Sequence, residues 1–111
     1  MELQEESRGE LLIIRVCDQR IDASKAPQFK DEINQRIARG HTKLLLDFSM
    51  VEFIDSTGLG ALVSCLKRLG KGEMSIAGAK GAVIRLFALT RMDKVFSLYP
   101  TVDAALAHRG G

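Results

Sequence analysis

The sequence predicts an α/β fold: a four- to five-stranded mixed sheet with about four helices packed mainly on one side. Three observations predict it. Lys43-Leu44-Leu45-Leu46-Asp47-Phe48 contains three consecutive leucines. They do not alternate, which suits a strand covered on both faces, as in a parallel or mixed sheet. Stretches with an apolar period of three to four separate the strand-like runs. The order strand, helix, buried strand occurs and is then repeated, which is the βαβ pattern. At 111 residues the chain fits one domain, 1–111, able to bury ~60–70% of its unfolded surface.

The elements follow in order. Leu11-Leu12-Ile13-Ile14-Arg15-Val16 is a β-branched run after the turn signal Arg8-Gly9 and reads as a strand, with residues around Leu3 pairing with it as a hairpin. Over residues 24–39, Ala26, Phe29, Ile33 and Ile37 recur at helical spacing. Asp22 or Ser24 is the expected cap, Pro27 is tolerated in the first turn, and Gly40 is the stop. The leucine strand comes next. A second stripe, Leu59, Leu62, Val63, Leu66 and Leu69, predicts a helix ended by Gly70 and Gly72. Residues 73–77 predict a short strand. Val83, Ile84, Phe87 and Leu89 predict a third helix starting near Gly81. Val95-Phe96-Ser97-Leu98 predicts a last short strand, and Thr101 caps a final helix with Val102, Ala105 and Leu106.

Composition excludes several classes of function. Hydrophobic residues make up 46% and charged residues 27%, an ordinary globular balance, and the net charge is only +2. Direct nucleic-acid binding is not expected, because Lys and Arg are mixed with Asp and Glu. The densest basic group, Lys67, Arg68 and Lys71, suits the negative end of a helix dipole. No stretch approaches the ~20 apolar residues of a membrane span, and the acidic start of the chain has no signal-peptide pattern, so a cytoplasmic, membrane-free protein is expected. Cys17 and Cys65 read as reduced core residues. No Cys/His cluster has metal-ligand spacing, and neither metal nor cofactor is expected.

One segment concentrates the chemistry: Ser49-Met50-Val51-Glu52-Phe53-Ile54-Asp55-Ser56-Thr57-Gly58-Leu59-Gly60. Asp55, Ser56 and Thr57 stand just before the leucine stripe, hence at a helix N-terminus, where they can cap free amides. Capping alone leaves Gly58 and Gly60 unexplained, since each costs up to ~1 kcal/mol against Ala in a helix. They would let another surface approach closely, and a helix start of this kind tolerates a phosphate. Enzyme readings are weak. There is no third glycine of a dinucleotide fingerprint, no Gly-Lys-Ser/Thr and no Gly-x-Ser-x-Gly elbow. His41 and His108 have no acid or cysteine at motif spacing.

Ile54-Asp55-Ser56-Thr57-Gly58-Leu59-Gly60-Ala61-Leu62 resembles the signature of STAS domains, specifically bacterial anti-sigma factor antagonists. The resemblance extends to Leu44-Leu45-Leu46-Asp47-Phe48 before it and to Tyr99-Pro100-Thr101-Val102-Asp103-Ala104-Ala105-Leu106 at the close. It implies a non-enzymatic partner switch. The unphosphorylated form binds an anti-sigma factor that is also a serine kinase, and so releases that factor's target. Phosphorylation of Ser56 blocks binding, with Thr57 a minor candidate, and a PP2C-type phosphatase reverses it. Asp22, in Arg20-Ile21-Asp22, matches a second acidic position of the family. The expected partner-binding residues are Asp22, Asp55, Ser56, Thr57, Gly58 and Leu59. Gln19 and Arg20 stand where the family often has glycine. Two alternatives remain open: a STAS subunit of a complex serving secretion regulation or lipid transport, and a nucleotide-binding domain.

Overall fold

A computed structural model describes residues 1–110. Five strands form the main sheet: β1 (Leu3–Arg8), β2 (Leu11–Val16), β4 (Lys43–Asp47), β6 (Glu73–Ala77) and β7 (Ser97–Tyr99), side by side in that order. β1 and β2 are an antiparallel hairpin, and every later pairing is parallel. A second, two-stranded sheet pairs β3 (Arg20–Ile21) with β5 (Phe53–Ile54) in parallel. The helices are α1 (Ala26–Ala38), α2 (Ser56–Leu69), α3 (Gly81–Leu89) and α4 (Val102–Gly110).

The leucine strand is central. Leu44, Leu45 and Leu46 are all buried because both faces of β4 are covered. Leu44 and Leu46 face a core shared with Phe29 and Ile33 of α1, Leu62 and Cys65 of α2, and Val83 and Phe87 of α3. Leu45 faces the other side with Leu11, Ile13 and Ala77, under Ala105 of α4. Three helices therefore cover one face and one covers the other. Burial in the larger core pushes the Cys65 thiol up to about 11, in keeping with a small reduced core residue.

Four details differ from the sequence reading. Neither Asp22 nor Ser24 is the α1 cap residue. Lys25 holds that position without a side-chain bond, while Asp22 closes the preceding turn by accepting from the Ser24 N–H and hydroxyl at 3.1 and 2.7 Å. The last strand begins at Ser97, because Val95 and Phe96 finish a 3-10 turn whose Phe96 ring plugs the core against Phe87. The buried face of α2 is centred on Gly58, Leu62 and Cys65, and Leu66 is only half-buried at its margin. The strands β3 and β5 are two residues each, too short to carry a periodicity.

Candidate functional site

The two-stranded sheet positions the site. Ile21 pairs in register with Ile54, so the next residues, Asp22 and Asp55, leave neighbouring parallel strands side by side. Ile21 and Ile54 are buried anchors. The Asp55 N–H donates to the Ile21 carbonyl at 3.4 Å. Asp55 is the N-cap of α2, and its Oδ1 accepts from the Gly58 N–H at 2.9 Å. Its Oδ2 accepts from the Ala23 N–H at 3.1 Å. One carboxylate therefore caps α2 and fastens the β3–α1 turn to it. This second bond has no signature in the sequence, because Ala23 contributes only its backbone.

Ser56 and Thr57 begin the first turn of α2, and both are exposed. Ser56 stands at one end of a groove of about 410 Å³ between α2 and the segment following α3, where Gly60, Val63 and Met92 supply much of the lining. Thr57 does not line this groove. Several large apolar side chains remain uncovered on the surface, including Met50 at 44%, Phe53 at 36% and Leu89 at 75% exposure.

The two glycines serve different ends. Gly58 is buried, and a Cβ built there would lie 2.1 Å from the Ile21 carbonyl oxygen. Its smallness lets α2 pack on β3, which corrects the expectation that it lets another surface approach. Gly60 is exposed with nothing within 4 Å of a Cβ, so the fold itself does not require glycine there. Leu59 lines the groove but is only 5% exposed, and offers a partner little of its own surface.

Charged groups brace the loops behind the site. The Asp22 carboxyl is held below the usual carboxylate range by its bond from Ser24, with help from Arg20, whose Nε donates to Asp22 Oδ2 at 3.3 Å. Asp18 is lowered in the same direction, chiefly by Lys25, whose Nζ reaches both oxygens at 2.9 and 2.7 Å. The Arg20 guanidinium also lies over the Phe53 ring, 4.3 Å from its centroid. Asp47, buried to 3% exposure at the end of β4, pairs with Arg15 at 3.1 Å and accepts from the Ser49 N–H at 2.9 Å. It fixes the start of the loop that ends at Ser56. Among the described residues no group of three His, Cys, Asp or Glu side chains is placed to hold a metal ion, and no helix is long and apolar enough to cross a membrane.

The sequence matches the STAS domain family over residues 2–105. The chain belongs to the STAS-domain family. This STAS domain is 34% identical over 93 residues to the anti-sigma-F factor antagonist RsfB of Mycobacterium tuberculosis, covering 82% of this chain and 76% of that one. It is 30% identical over 80 residues to the anti-sigma-B factor antagonist of Listeria monocytogenes, covering 70% of each. Its fold matches an anti-sigma factor antagonist from Mycobacterium paratuberculosis with a TM-score of 0.86 at 32% identity, over 96% of this chain and 92% of that one. The Bacillus cell fate determinant SpoIIAA in its phosphorylated form superposes with a TM-score of 0.71 at 20% identity, over 96% and 98% of the two chains, a likeness of fold.

Proposed function

We propose that this STAS domain is a phosphorylation-controlled anti-sigma factor antagonist. In its unmodified form it binds an anti-sigma factor that is also a serine kinase, and so frees that factor's target. Phosphate on Ser56 ends the binding, and a PP2C-type phosphatase restores it. The domain itself supplies no catalysis. It works where its kinase works, in the cytoplasm. Similarity to anti-sigma factor antagonists of two genera supports the reading. The single observation that carries it is the position of Ser56: exposed, lining an apolar groove, and directly after Asp55, the residue that caps α2. Thr57 shares the exposure but not the groove.

A phosphoserine adds about −1.5 to −2 charge. At the first turn of α2 that charge is favoured by the helix dipole, so the fold survives and the effect falls on the interface. Leaving a charge unpaired in an interface costs ~2–5 kcal/mol, or roughly 30- to 4,000-fold in affinity. The likeness to an anion transporter of the mouse covers 19% of that chain at 17% identity. It is a likeness of fold and gives a membrane-complex reading no support of its own.

Incubation with ATP and a cognate anti-sigma factor kinase, followed by mass spectrometry, tests the modification. The phosphate is expected on Ser56, with none incorporated into Ser56→Ala. Phosphate mapped to Thr57, or incorporated without the kinase, would overturn the assignment.

A further inference from the structure

Arg20 is an exposed cation beside the site that is only loosely held. Its guanidinium stacks on Phe53 across the two-stranded sheet and spends a single N–H, at 3.3 Å, on Asp22. A guanidinium has five such donors, and the Arg20 side chain is 55% exposed. The carboxylate it touches is already satisfied on its other oxygen by Ser24. Lys25 is held by both oxygens of Asp18 and Lys80 by Glu52 at 3.4 Å, and Lys67, which also lines the groove, stands in the last turn of α2, roughly 16 Å of helix from Ser56. The position of Arg20 is fixed by register. Arg20 pairs with Phe53 and Ile21 with Ile54, so its guanidinium, in reaching forward to Asp22, lies toward the strand ends from which Asp55 and Ser56 emerge. The bond from the Ala23 N–H to Asp55 holds those two loop ends together.

We propose that Arg20 is the counter-ion of the phosphate on Ser56. On modification the guanidinium leaves Asp22 for the phosphate and keeps its face on Phe53. The exchange follows from charge and shape, because a phosphate carries about twice the charge of a carboxylate and presents oxygens that accept the guanidinium fork in pairs. Asp22 is then left without its cation, so the modification is read at the β3–α1 turn as well as at Ser56. The inference rests on the proposed function only in taking Ser56 as the residue that bears phosphate.

The test uses the full chain with phosphoserine incorporated at position 56 during translation, so no kinase is needed. Phosphorus-31 NMR follows the second ionisation of the phosphate with pH. The other charged groups around the site, Asp22 and Asp55 at the strand ends and Lys67 on α2, are unchanged in the variants compared. A cation beside the phosphate favours its dianion, so the pKa is expected to be lower in wild type than in Arg20→Gln. The expected difference is about 0.2–0.7, a 1.5- to 5-fold change in the dissociation constant, as exposed ion pairs give. Arg20→Lys, which keeps the charge and loses the fork, is expected between them. That comparison stands even if the Gln variant fails to fold. Lys80→Gln removes a charge whose place is on Glu52, and is expected to leave the value within 0.1 of wild type. Equal values for wild type and both Arg20 variants, or a shift in Lys80→Gln as large as in Arg20→Gln, would overturn the proposal. Either result would leave the kinase assignment untouched, whereas a kinase that ignores Ser56 would overturn the functional reading and not the pairing.

Discussion

Replacing Gly58 by alanine would set a Cβ 2.1 Å from the Ile21 carbonyl oxygen and 2.9 Å from Ile54 Cγ1. The oxygen belongs to backbone, and the same carbonyl accepts from the Asp55 N–H. Relief therefore requires α2 to lift off the β3–β5 pair by about 1 Å or more, since non-bonded heavy atoms settle at roughly 3.5 Å. Overpacking of this kind costs ~1–3 kcal/mol, and a rigid neighbour puts Gly58→Ala at the upper end. Against this stands the helix preference for Ala over Gly, about 1 kcal/mol. The net expectation is a loss of about 1–2 kcal/mol. Gly60→Ala, with nothing within 4 Å, keeps the helix gain alone and should stabilise by about 0.5–1 kcal/mol. Urea unfolding followed by circular dichroism measures both. The two variants should move the midpoint in opposite directions. A Gly58→Ala domain as stable as wild type would refute the packing of α2 on β3.

Leu62→Ala should destabilise by ~2–5 kcal/mol as a truncation at full burial, and Leu66→Ala by clearly less, because Leu66 lies at the half-buried margin of α2; denaturant midpoints of the pair test the phase of the helix. Asp55→Ala removes the α2 cap and the tie to Ala23, for a loss of about 1.5–3 kcal/mol. Asp55→Asn should recover part of that, because its amide oxygen can still cap while its NH₂ faces the Ala23 N–H; thermal melts of both show it. Asp18 and Asp22 have folded-state pKa values depressed by Lys25 and by Ser24 with Arg20. Their contribution is present above about pH 4, the unfolded value, and is lost as the pH falls through the lower folded values. Carbon-13 NMR titration should find both carboxyls still ionised where free aspartate is half-protonated.

Much of the fold was legible because its signals are long. Three adjacent leucines called for a strand covered on both faces, and stripes at helical spacing placed α1, α2 and α3 where the structure has them. The Asp55 cap was readable from residue type and position. The architecture that assembles the site was not. β3 and β5 are two residues each, and the bonds that join them pass through backbone groups of Ile21 and Ala23. The stacking of Arg20 on Phe53 depends on a register that only the fold supplies. Gly58 shows the same limit: sequence marked the glycine as unusual, but a neighbour 37 positions earlier, Ile21, gives the reason. The strand β7 starts late because Phe96 is more useful as a core plug than as a sheet residue.

In the proposed switch, charge at Ser56 decides partner binding without unfolding the domain. Calorimetric titration of a cognate anti-sigma factor kinase, without ATP, into four forms of the full chain measures this. Wild type and Ser56→Ala should bind alike. Ser56→Asp should bind more weakly, and the phosphoserine form weakest of all, by roughly 30- to 4,000-fold relative to wild type. The four circular dichroism spectra should superimpose. A phosphoserine form that binds as tightly as wild type would reduce Ser56 to the first residue of a helix and contradict the account.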